Sequence, residues 1–505
     1  MRFLNILVIL FFALPMGFHA QNQVDAFRYS DFGNFGSIRS MGMAGAYGAV
    51  GADPSAVYLN PAGIGVYRSG VFDMGAKLML GFQTSNWHNQ NNTSANVNLP
   101  IDHIQYVRNR VIPSGKWKYW NTALNYGVTQ LYNRSVSTTF NTTNVSLLDQ
   151  FASYANGINH NDVVSTLPFN SGLAWNTYGI DTVPGTVDQY WANYSGGDNK
   201  IKKNTDETGK TWEANYTIAA NYDNQLYIGA NVGLQGVTYG YELKHQEEYQ
   251  SLSDTLKLFE YIQSLSATGS ALTFRLGGIY QPQWAPWWKV GASWTAPRRI
   301  RFTDEFSSTL RTDFLNSSLE ASSPVNSIEY AITTPQIFQL SSAMNVGPRM
   351  MWTLDWCNMS LNQSSIESVG DFTYSYNDEN RAIASLGKTS HRVQSGVELR
   401  LPGQFLVRGG LGIQTPMNAA ANTRWWLTSG LGYRSENFFA ESGLMWNQSS
   451  QMEGVFDFVD PSKVVQSQLM VGFSIGWRLS DPVDNSDEYA EPKLQYTPTT
   501  PADPF

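Results

Sequence analysis

The chain has 505 residues and a formal net charge of -8 at pH 7; aromatic residues make up 13% of it and charged residues only 15%. Nucleic-acid binding generally needs a basic face, which this acidic sequence with no clustered Lys/Arg stripe does not offer. The single cysteine, Cys357, excludes an intrachain disulfide and a cysteine-based metal site, and the six histidines have no metal-ligand spacing. The sequence therefore predicts no cofactor and no metal.

Residues 1–20 have the pattern of a secretory signal, with Arg2 before an apolar run from Phe3 to Phe18. Phe18 is not small, so the cleavage position before Gln21 stays open. A membrane anchor is disfavoured because the run is short, and no later stretch offers about 18 consecutive apolar residues. Export without a membrane helix leaves a soluble secreted protein or an outer-membrane barrel.

The stretch from Ser37 to Gly70 is rich in Gly, Ala and Ser and is interrupted by Pro54 and Pro61. Glycine and proline at this density argue against one long helix or strand. The stretch also lacks the charge that marks a disordered tail. It is either a small-residue linker or a compact folded plug, and we predict a plug over residues 21–70.

From Val71 onward, apolar and polar residues alternate with period 2, as in strands with one apolar face. In the final strand, for example, Val471, Phe473 and Ile475 alternate with Gly472 and Ser474. The pattern predicts about 14 strands, near 71–84, 98–111, 116–141, 210–222, 225–249, 266–282, 288–312, 327–346, 349–361, 388–402, 403–415, 422–434, 437–451 and 464–479.

The connections between these strands alternate between short turns and long loops, which is typical of an outer-membrane barrel. The short turns include Asp223-Asn224 and Gly347-Pro348, and the longest loop covers residues 142–209. The predicted fold is all-β: a transmembrane antiparallel up-and-down β-barrel over residues 71–479, with an N-terminal plug. The Pro- and Asp-rich residues 480–505 have no strand signal and are expected to form a disordered periplasmic tail.

Two loop stretches have the spacing of amphipathic helices. The first would place Leu147, Leu148 and Phe151 on one apolar face, and the second covers residues 256–265. The apolar face of the first stretch either packs against its own loop or captures a hydrophobic compound outside the cell.

Charged residues fall on the inward faces of the predicted strands, which argues for a wet or plugged interior because unpaired buried charges are costly. Most are expected to pair with one another or with the plug, while Arg400, Arg408 and Arg478 could also meet a substrate carboxylate. The predicted lumen charges are Arg392, Glu398, Arg400, Arg408, Glu441 and Arg478. An enzyme is not expected, because neither His103 nor His391 has a nucleophile placed near it in the sequence.

The run from Asp53 to Gly63, with Asn60-Pro61-Ala62 at its centre, resembles the N-terminal plug of the FadL/TodX family in a Bacteroidetes-like form. This family comprises bacterial outer-membrane channels for long-chain fatty acids and other hydrophobic molecules. The resemblance implies a monomeric 14-stranded barrel in the outer membrane that captures its substrate with extracellular loops. Its partners would be outer-membrane lipid and hydrophobic small molecules, that is fatty acids or aromatic hydrocarbons, and not nucleic acid.

The resemblance also implies lateral release into the membrane through a wall opening at a kinked third strand. We place that kink at Asn133 and Arg134, where the alternation of the third strand fails. The plug residues Asn60, Pro61, Ala62 and Gly63 would gate the path. Pro61 restricts Asn60 to extended geometry, and Asn60 can hydrogen-bond nearby backbone.

Two other functions remain open on the same fold. One is a docking or shuttle barrel for secreted proteins, as some relatives of the family serve in type IX secretion. The other is a general porin, which a packed plug disfavours.

Overall fold

The computed structural model describes residues 23–31, 36–87, 90–250, 255–370 and 374–479. The predicted signal sequence and the predicted C-terminal tail lie outside the described residues. Within them, no helix is both long and apolar enough to cross a membrane. The helices are α1 (Gln23–Tyr29), α2 (Ile38–Met41), α3 (Ala56–Leu59), α4 (Leu147–Ala155), α5 (Val163–Thr166), α6 (Ser171–Asn176) and α7 (Asn377–Leu386), with 3-10 helices at Pro61–Val66, Leu361–Gln363 and Pro402–Gln404.

Strands make up most of the described chain. They are β1 (Gly70–Trp87), β2 (Gln90–Asn98), β3 (Ile101–Val111), β4 (Trp117–Leu131), β5 (Arg134–Thr143), β6 (Ile180–Thr182), β7 (Tyr190–Ala192), β8 (Asp198–Tyr222), β9 (Leu226–Tyr249), β10 (Leu256–Tyr280), β11 (Trp288–Thr295), β12 (Arg299–Phe314), β13 (Ser318–Ser322), β14 (Asn326–Thr333), β15 (Ile337–Val346), β16 (Met350–Ser360), β17 (Ser365–Ser368), β18 (Thr389–Arg400), β19 (Phe405–Gln414), β20 (Arg424–Arg434), β21 (Phe438–Glu453) and β22 (Ser462–Leu479).

The wall is a closed antiparallel barrel of fourteen strand positions, as predicted. The first and last strands pair from Gly70–Leu479 to Asn86–Lys463, which closes the sheet. Two wall positions are each formed by two consecutive strands: β11 and β12 share the seventh position, and β14 and β15 share the eighth. In order around the wall, the positions are β1, β3, β4, β8, β9, β10, β11/β12, β14/β15, β16, β18, β19, β20, β21 and β22.

Short turns lie at one end of the barrel, where Gly70 and Leu479 also lie, and long loops lie at the other. The turn between β8 and β9 places Asp223 and Asn224 at φ of 56° and 55°, the geometry of a two-residue hairpin. Apolar side chains cover the outer face of the wall, as a bilayer requires. They include Leu124, Tyr216, Val232, Leu272, Leu354, Leu431 and Phe473, all more than one-third exposed.

Two predicted boundaries are corrected. Strand β8 begins at Asp198, so the long loop covers residues 144–197 and not 142–209. The first half of β8 is polar on both faces, which hides the alternation. Residues 256–265 are not helical but begin β10, because β9 and β12 both pair with their backbone.

The long loop folds into a domain over the barrel mouth, which we call the cap (residues 144–197). Leu147, Leu148 and Phe151 are buried in its core, and the Phe151 ring contacts Phe259 and Tyr261 of β10. This is the packing alternative that the sequence left open. Their role in capturing a hydrophobic compound would require the cap to lift, and it stays a prediction.

The buried carboxylate of Glu247 on β9 holds the start of α4. It accepts hydrogen bonds from the Leu147 backbone nitrogen at 2.8 Å, from the Ser146 hydroxyl at 2.5 Å and from the Tyr249 hydroxyl at 2.9 Å. A negative group at a helix N-terminus is favoured, because the first backbone N–H groups lack partners within the helix. The cap is therefore attached to the wall by both apolar packing and a carboxylate.

We expect Phe151→Ala to loosen the cap without disturbing the barrel. Removing a fully buried phenyl ring typically costs about 3–5 kcal/mol. Limited proteolysis should cut residues 156–189 faster in this variant, while the heat-resistant migration of the folded barrel stays unchanged. Val164→Ala, at a cap residue that is 39% exposed, is the matched control and should behave as the unmodified protein. Equal cleavage of all three proteins would contradict this packing.

Candidate functional site

The plug is the segment from Gly36 to Tyr67, and it lies inside the barrel with most of its residues buried. Inward-facing wall side chains bond its irregular backbone. The backbone nitrogens of Tyr47 and Gly48 donate to the Asp355 carboxylate at 3.0 and 2.8 Å. The Asn121 amide donates to the Ile64 and Tyr67 carbonyls, both at 2.8 Å. The wall thus supplies partners that the plug lacks within itself.

Asn60 connects two parts of the plug to the wall. Its side-chain nitrogen donates to the carbonyls of Gly48 in the plug and Gly278 on β10, at 2.9 and 3.1 Å. Its side-chain oxygen accepts from the Ala62 backbone nitrogen at 3.2 Å, which caps the 3-10 helix that starts at Pro61. The extended backbone of Asn60, with φ of -156°, suits a residue that precedes proline.

A socket of glycines in the wall receives this turn. A Cβ atom on Gly277 would lie 2.0 Å from the Asn60 side-chain oxygen, and one on Gly229 would lie 2.4 Å from the Pro61 backbone. Gly291 on the next strand is less tightly packed, since a Cβ there would lie 3.0 Å from the Gly48 carbonyl oxygen. Sequence analysis missed this socket. Its signal was the presence of glycine at inward positions of three neighbouring strands.

A chain of buried ion pairs holds the first part of the plug. Arg39 of α2 lies 3.0 Å from Glu398 on β18, and Glu398 also pairs with Arg408 at 2.8 Å. Arg408 also pairs with Glu441, and Glu441 pairs with Arg434 at 3.1 Å. The predicted lumen charges Glu398, Arg408 and Glu441 therefore come together, and Arg39 completes them. The Arg408 guanidinium group pairs with both Glu398 and Glu441, so it is not available to a substrate carboxylate.

The other predicted lumen charges lie elsewhere. Arg392 is buried beside the Cys357 sulfur, at 3.7 Å. Arg400 and Arg478 are not lumen residues, which corrects the sequence interpretation. In the alternating pattern both residues fall on the inward face. Arg400 is the last residue of β18 and Arg478 is the second-to-last residue of β22, so their side chains reach solvent at the short-turn end.

The junction between the second and third wall positions, which we call the seam, lacks a continuous ladder. Pairing of β3 with β4 runs from Val111–Tyr119 to His103–Gly127. Farther toward the long loops, β2 pairs with β1 and β5 pairs with β8. Side chains bridge the seam there: Asn96 donates to the Asn133 carbonyl at 2.9 Å.

The third wall position is interrupted beside this seam. Strand β4 ends at Leu131 and β5 begins at Arg134, with a bulge between Val128 and Gln130. The Asn133 side chain accepts from the Gly209 backbone nitrogen at 2.8 Å, which compensates for the missing ladder bond. The interruption consists of Tyr132 and Asn133, so Asn133 of the predicted kink lies in it and Arg134 is the first residue of β5. Whether a substrate leaves through it stays a prediction.

The plug contacts the foot of the seam through Tyr58 of α3. The Tyr58 hydroxyl donates to Asn125 on β4 at 2.5 Å, and a Cβ on Gly127 would lie 2.4 Å from it. Burial raises the pKa of the Tyr58 phenol well above its usual value, so the hydroxyl remains a donor. Tyr58 is two residues before Asn60, which couples the seam to the socket through one short helix.

A bulge at the foot of the seam turns both Asp102 and His103 inward. The two ring nitrogens of His103 lie 2.9 Å from Asp102 and 3.2 Å from Asp73, and Asp102 also meets Lys77 at 2.5 Å. Since carboxylates occupy both nitrogens, His103 does not activate a nucleophile in this arrangement. Within the described residues no group of three His, Cys, Asp or Glu side chains could hold a metal ion.

Above the plug, helix α1 fills an aromatic chamber lined by Tyr132, Tyr239, Phe302 and Tyr330. The Tyr29 ring is 4.5 Å from Phe302, 5.8 Å from Tyr132 and 6.2 Å from Tyr239, measured between centroids. All of these rings are buried. An aromatic chamber inside a barrel wall is unnecessary for a water-filled pore, and its rings suit a hydrophobic occupant. The Arg28–Asp25 pair of α1 and the buried Asp304 carboxylate lie beside these rings.

A charged cleft lies between the chamber and the plug. Its cavity volume is about 60 Å³, room for a few water molecules. Glu213 in the cleft pairs with Arg275 at 2.9 Å, while Arg298 is 3.9 Å from it. Counted over the whole lining, three guanidinium groups (Arg275, Arg298 and Arg392) face two carboxylates (Asp31 and Glu213). Thr129 and Gln130 of the bulged third strand also line the cleft, so it reaches the seam.

Solved structures share this architecture. The chain matches a FadL homologue from Pseudomonas aeruginosa with a TM-score of 0.54, at 10% identity over 88% of this chain and 98% of that one. The chain has the FadL-type barrel fold. It also matches the toluene transporter TodX of Pseudomonas putida with a TM-score of 0.50, at 12% identity over 86% and 96% of the two chains. A variant described as a TodX monoaromatic hydrocarbon channel matches with a TM-score of 0.52.

Sequence comparisons add nothing to this structural likeness. No protein-family model matches the chain, and no curated protein matches it significantly. The FadL-type fold therefore rests on the course of the backbone, at identities too low to transfer a substrate.

We expect Gly277→Ala to displace the plug, because the added methyl group would overlap the Asn60 side chain. The barrel should still fold, but its conductance in planar bilayers should rise and become noisy. Gly278→Ala is the matched control, since a Cβ there has only one heavy atom within 4 Å, at 3.8 Å. Equal conductance of the two variants would show that the socket does not position the plug.

Proposed function

We propose that the protein is an outer-membrane channel for passive uptake of hydrophobic compounds. The observation that carries this proposal is the aromatic chamber inside a plugged barrel, next to an interrupted strand. A general porin has no use for such a chamber, and the buried plug would obstruct a water-filled path. The likeness to FadL-type structures supports the same fold, and two of those structures are named as channels or transporters of aromatic hydrocarbons.

In this proposal a transported compound passes the cap, the aromatic chamber, the charged cleft and the seam, in that order. A compound passes the cap, displaces α1 from the aromatic chamber and enters the charged cleft beside the seam. Asn60, Pro61, Ala62 and Gly63 hold the plug so that Tyr58 stays at the foot of the seam. The compound then leaves sideways between β3 and β4. Transfer of apolar surface from water to lipid is favourable by roughly 25 cal/mol per Å², so no energy source is needed.

The charged cleft favours an amphipathic acid, such as a long-chain fatty acid, over a neutral hydrocarbon. An alkyl chain would occupy the chamber while its carboxylate reached the cleft. Arg298 is the best-placed partner, because its contacts are long: 3.4 Å to the Thr334 hydroxyl and 3.5 Å to the Tyr29 carbonyl. The contact with Tyr29 would be lost when α1 leaves, which would free one guanidinium nitrogen for the carboxylate.

The first test is Asn60→Ala. It removes the side-chain hydrogen bonds to Gly48, Gly278 and the Ala62 nitrogen, and an uptake step that depends on one such bond, worth about 1 kcal/mol, should slow roughly fivefold. Uptake of radiolabelled hexadecanoate by cells that depend on this protein gives the measurement. Asn345→Ala, at an exposed position of β15, is the control. Unchanged uptake by the Asn60 variant, with equal amounts of folded barrel, would refute the gating role.

The second test separates the carboxylate from the alkyl chain. We expect Arg298→Gln to weaken hexadecanoate binding roughly tenfold, as loss of one charge-assisted hydrogen bond predicts, and to leave hexadecanol binding unchanged. Arg299→Gln, which removes a pair with Glu367 on the outer face, is the neighbouring control. Equal weakening of acid and alcohol would mean that Arg298 acts on the fold and not on the carboxylate.

The main alternative is a docking barrel for secreted proteins. The folded cap, which exposes Tyr178, Val187 and Trp191, is the feature that favours it. Co-purification with secretion components, together with failure to bind any hydrophobe, would support this second function.

A further inference from the structure

The short-turn end of the barrel carries a sector of basic side chains that the transport path does not use. Its members are exposed or half-buried and lie where β22, β1, β3 and β4 meet. They are Arg110, Lys116, Lys118 and Arg478. We call this group the basic sector. It is unusual in a chain whose net charge is -8.

Within the described residues, no carboxylate forms a salt bridge with any member of the basic sector. Arg478 donates to the Glu436 backbone carbonyl at 3.2 Å, which leaves its charge unneutralised. Asp223, the nearest acid of the neighbouring turn, accepts instead from the Gln225 amide at 3.1 Å. An uncompensated patch of one sign attracts a partner of the other sign.

The chain itself contains a segment of the opposite sign, and in sequence it follows directly after β22. Residues 480–505 carry six acidic side chains against one lysine. They follow Leu479, which comes directly after Arg478 and pairs with Gly70. A 26-residue segment can reach on the order of 85 Å when extended. A 14-stranded barrel is roughly 28 Å wide, from strand spacing and tilt. The segment is therefore long enough to contact any part of the basic sector.

We propose that residues 480–505 dock on the basic sector. Single exposed ion pairs contribute little. The covalent connection at Leu479 keeps the acidic segment at high effective concentration, so several weak pairs suffice. The contact is electrostatic and should weaken as salt rises, since exposed charges are screened over about 10 Å at 0.1 M salt. This inference does not depend on which compound is transported.

The test is photocrosslinking of the full-length protein in nanodiscs of phosphatidylcholine. Tyr496 is replaced by benzoylphenylalanine, which captures neighbours regardless of their charge. We expect cross-links to peptides around residues 110–118 at about 50 mM NaCl, falling at least fivefold at about 500 mM NaCl. The variant K116Q/K118Q should lower them at low salt. R349Q/R400Q, which removes two exposed charges from other turns of the same end, should not.

Three results would overturn the proposal. They are cross-links that do not respond to salt, equal loss in K116Q/K118Q and R349Q/R400Q, and loss of the cross-links when phosphatidylglycerol replaces half of the lipid. The last result would assign the basic sector to anionic lipid headgroups. The folded state of each variant is checked by heat-resistant migration, so that misfolding is not read as undocking.

Discussion

The structure depends on burying an irregular backbone inside a closed wall. A plug made of short helices and turns leaves many N–H and C=O groups without internal partners, and each such group is costly when buried. The barrel resolves this with inward amides, hydroxyls and carboxylates that bond the plug, as Asp355 does for Tyr47 and Gly48. Glycines in the same wall let the plug approach closely enough for these bonds to form.

The two ends of the plug are held differently, and this difference matters for function. The first part is fixed by the chain of ion pairs from Arg39 to Arg434, where loss of one partner would leave a buried charge uncompensated. The part around Asn60 is held by neutral hydrogen bonds and close packing in the socket. Neutral bonds are weaker, so motion of the plug is expected at Asn60 and Tyr58 and not at Arg39.

Much of the wall could be predicted from sequence, because lipid outside and polar groups inside enforce a period of two. Strand number and the short turns followed from this. The pattern failed where the wall leaves the bilayer: the first half of β8 is polar on both faces, and residues 256–265 mimic a helix although β9 and β12 pair with them. Neither error could be avoided from local sequence, because strand pairing is non-local.

The candidate site was less accessible to sequence reasoning. Two features could be recognised from local sequence: the motif around Asn60 by its resemblance to a known family, and the break near Asn133 by the loss of alternation. The aromatic chamber could not be recognised in this way, because Tyr132, Tyr239 and Phe302 are far apart in the sequence and come together only when the barrel closes. The exposure of Arg400 and Arg478 depends on where their strands end, which alternation does not encode.

We propose that the chamber and the cleft together hold a hydrophobic molecule with a polar head. Mass spectrometry of lipids extracted from the protein after mild purification tests this most directly. We expect a reproducible, near-stoichiometric hydrophobic carboxylate that Arg298→Gln depletes. A barrel that is empty in every preparation and carries bound partner proteins instead would contradict this proposal and favour a docking role.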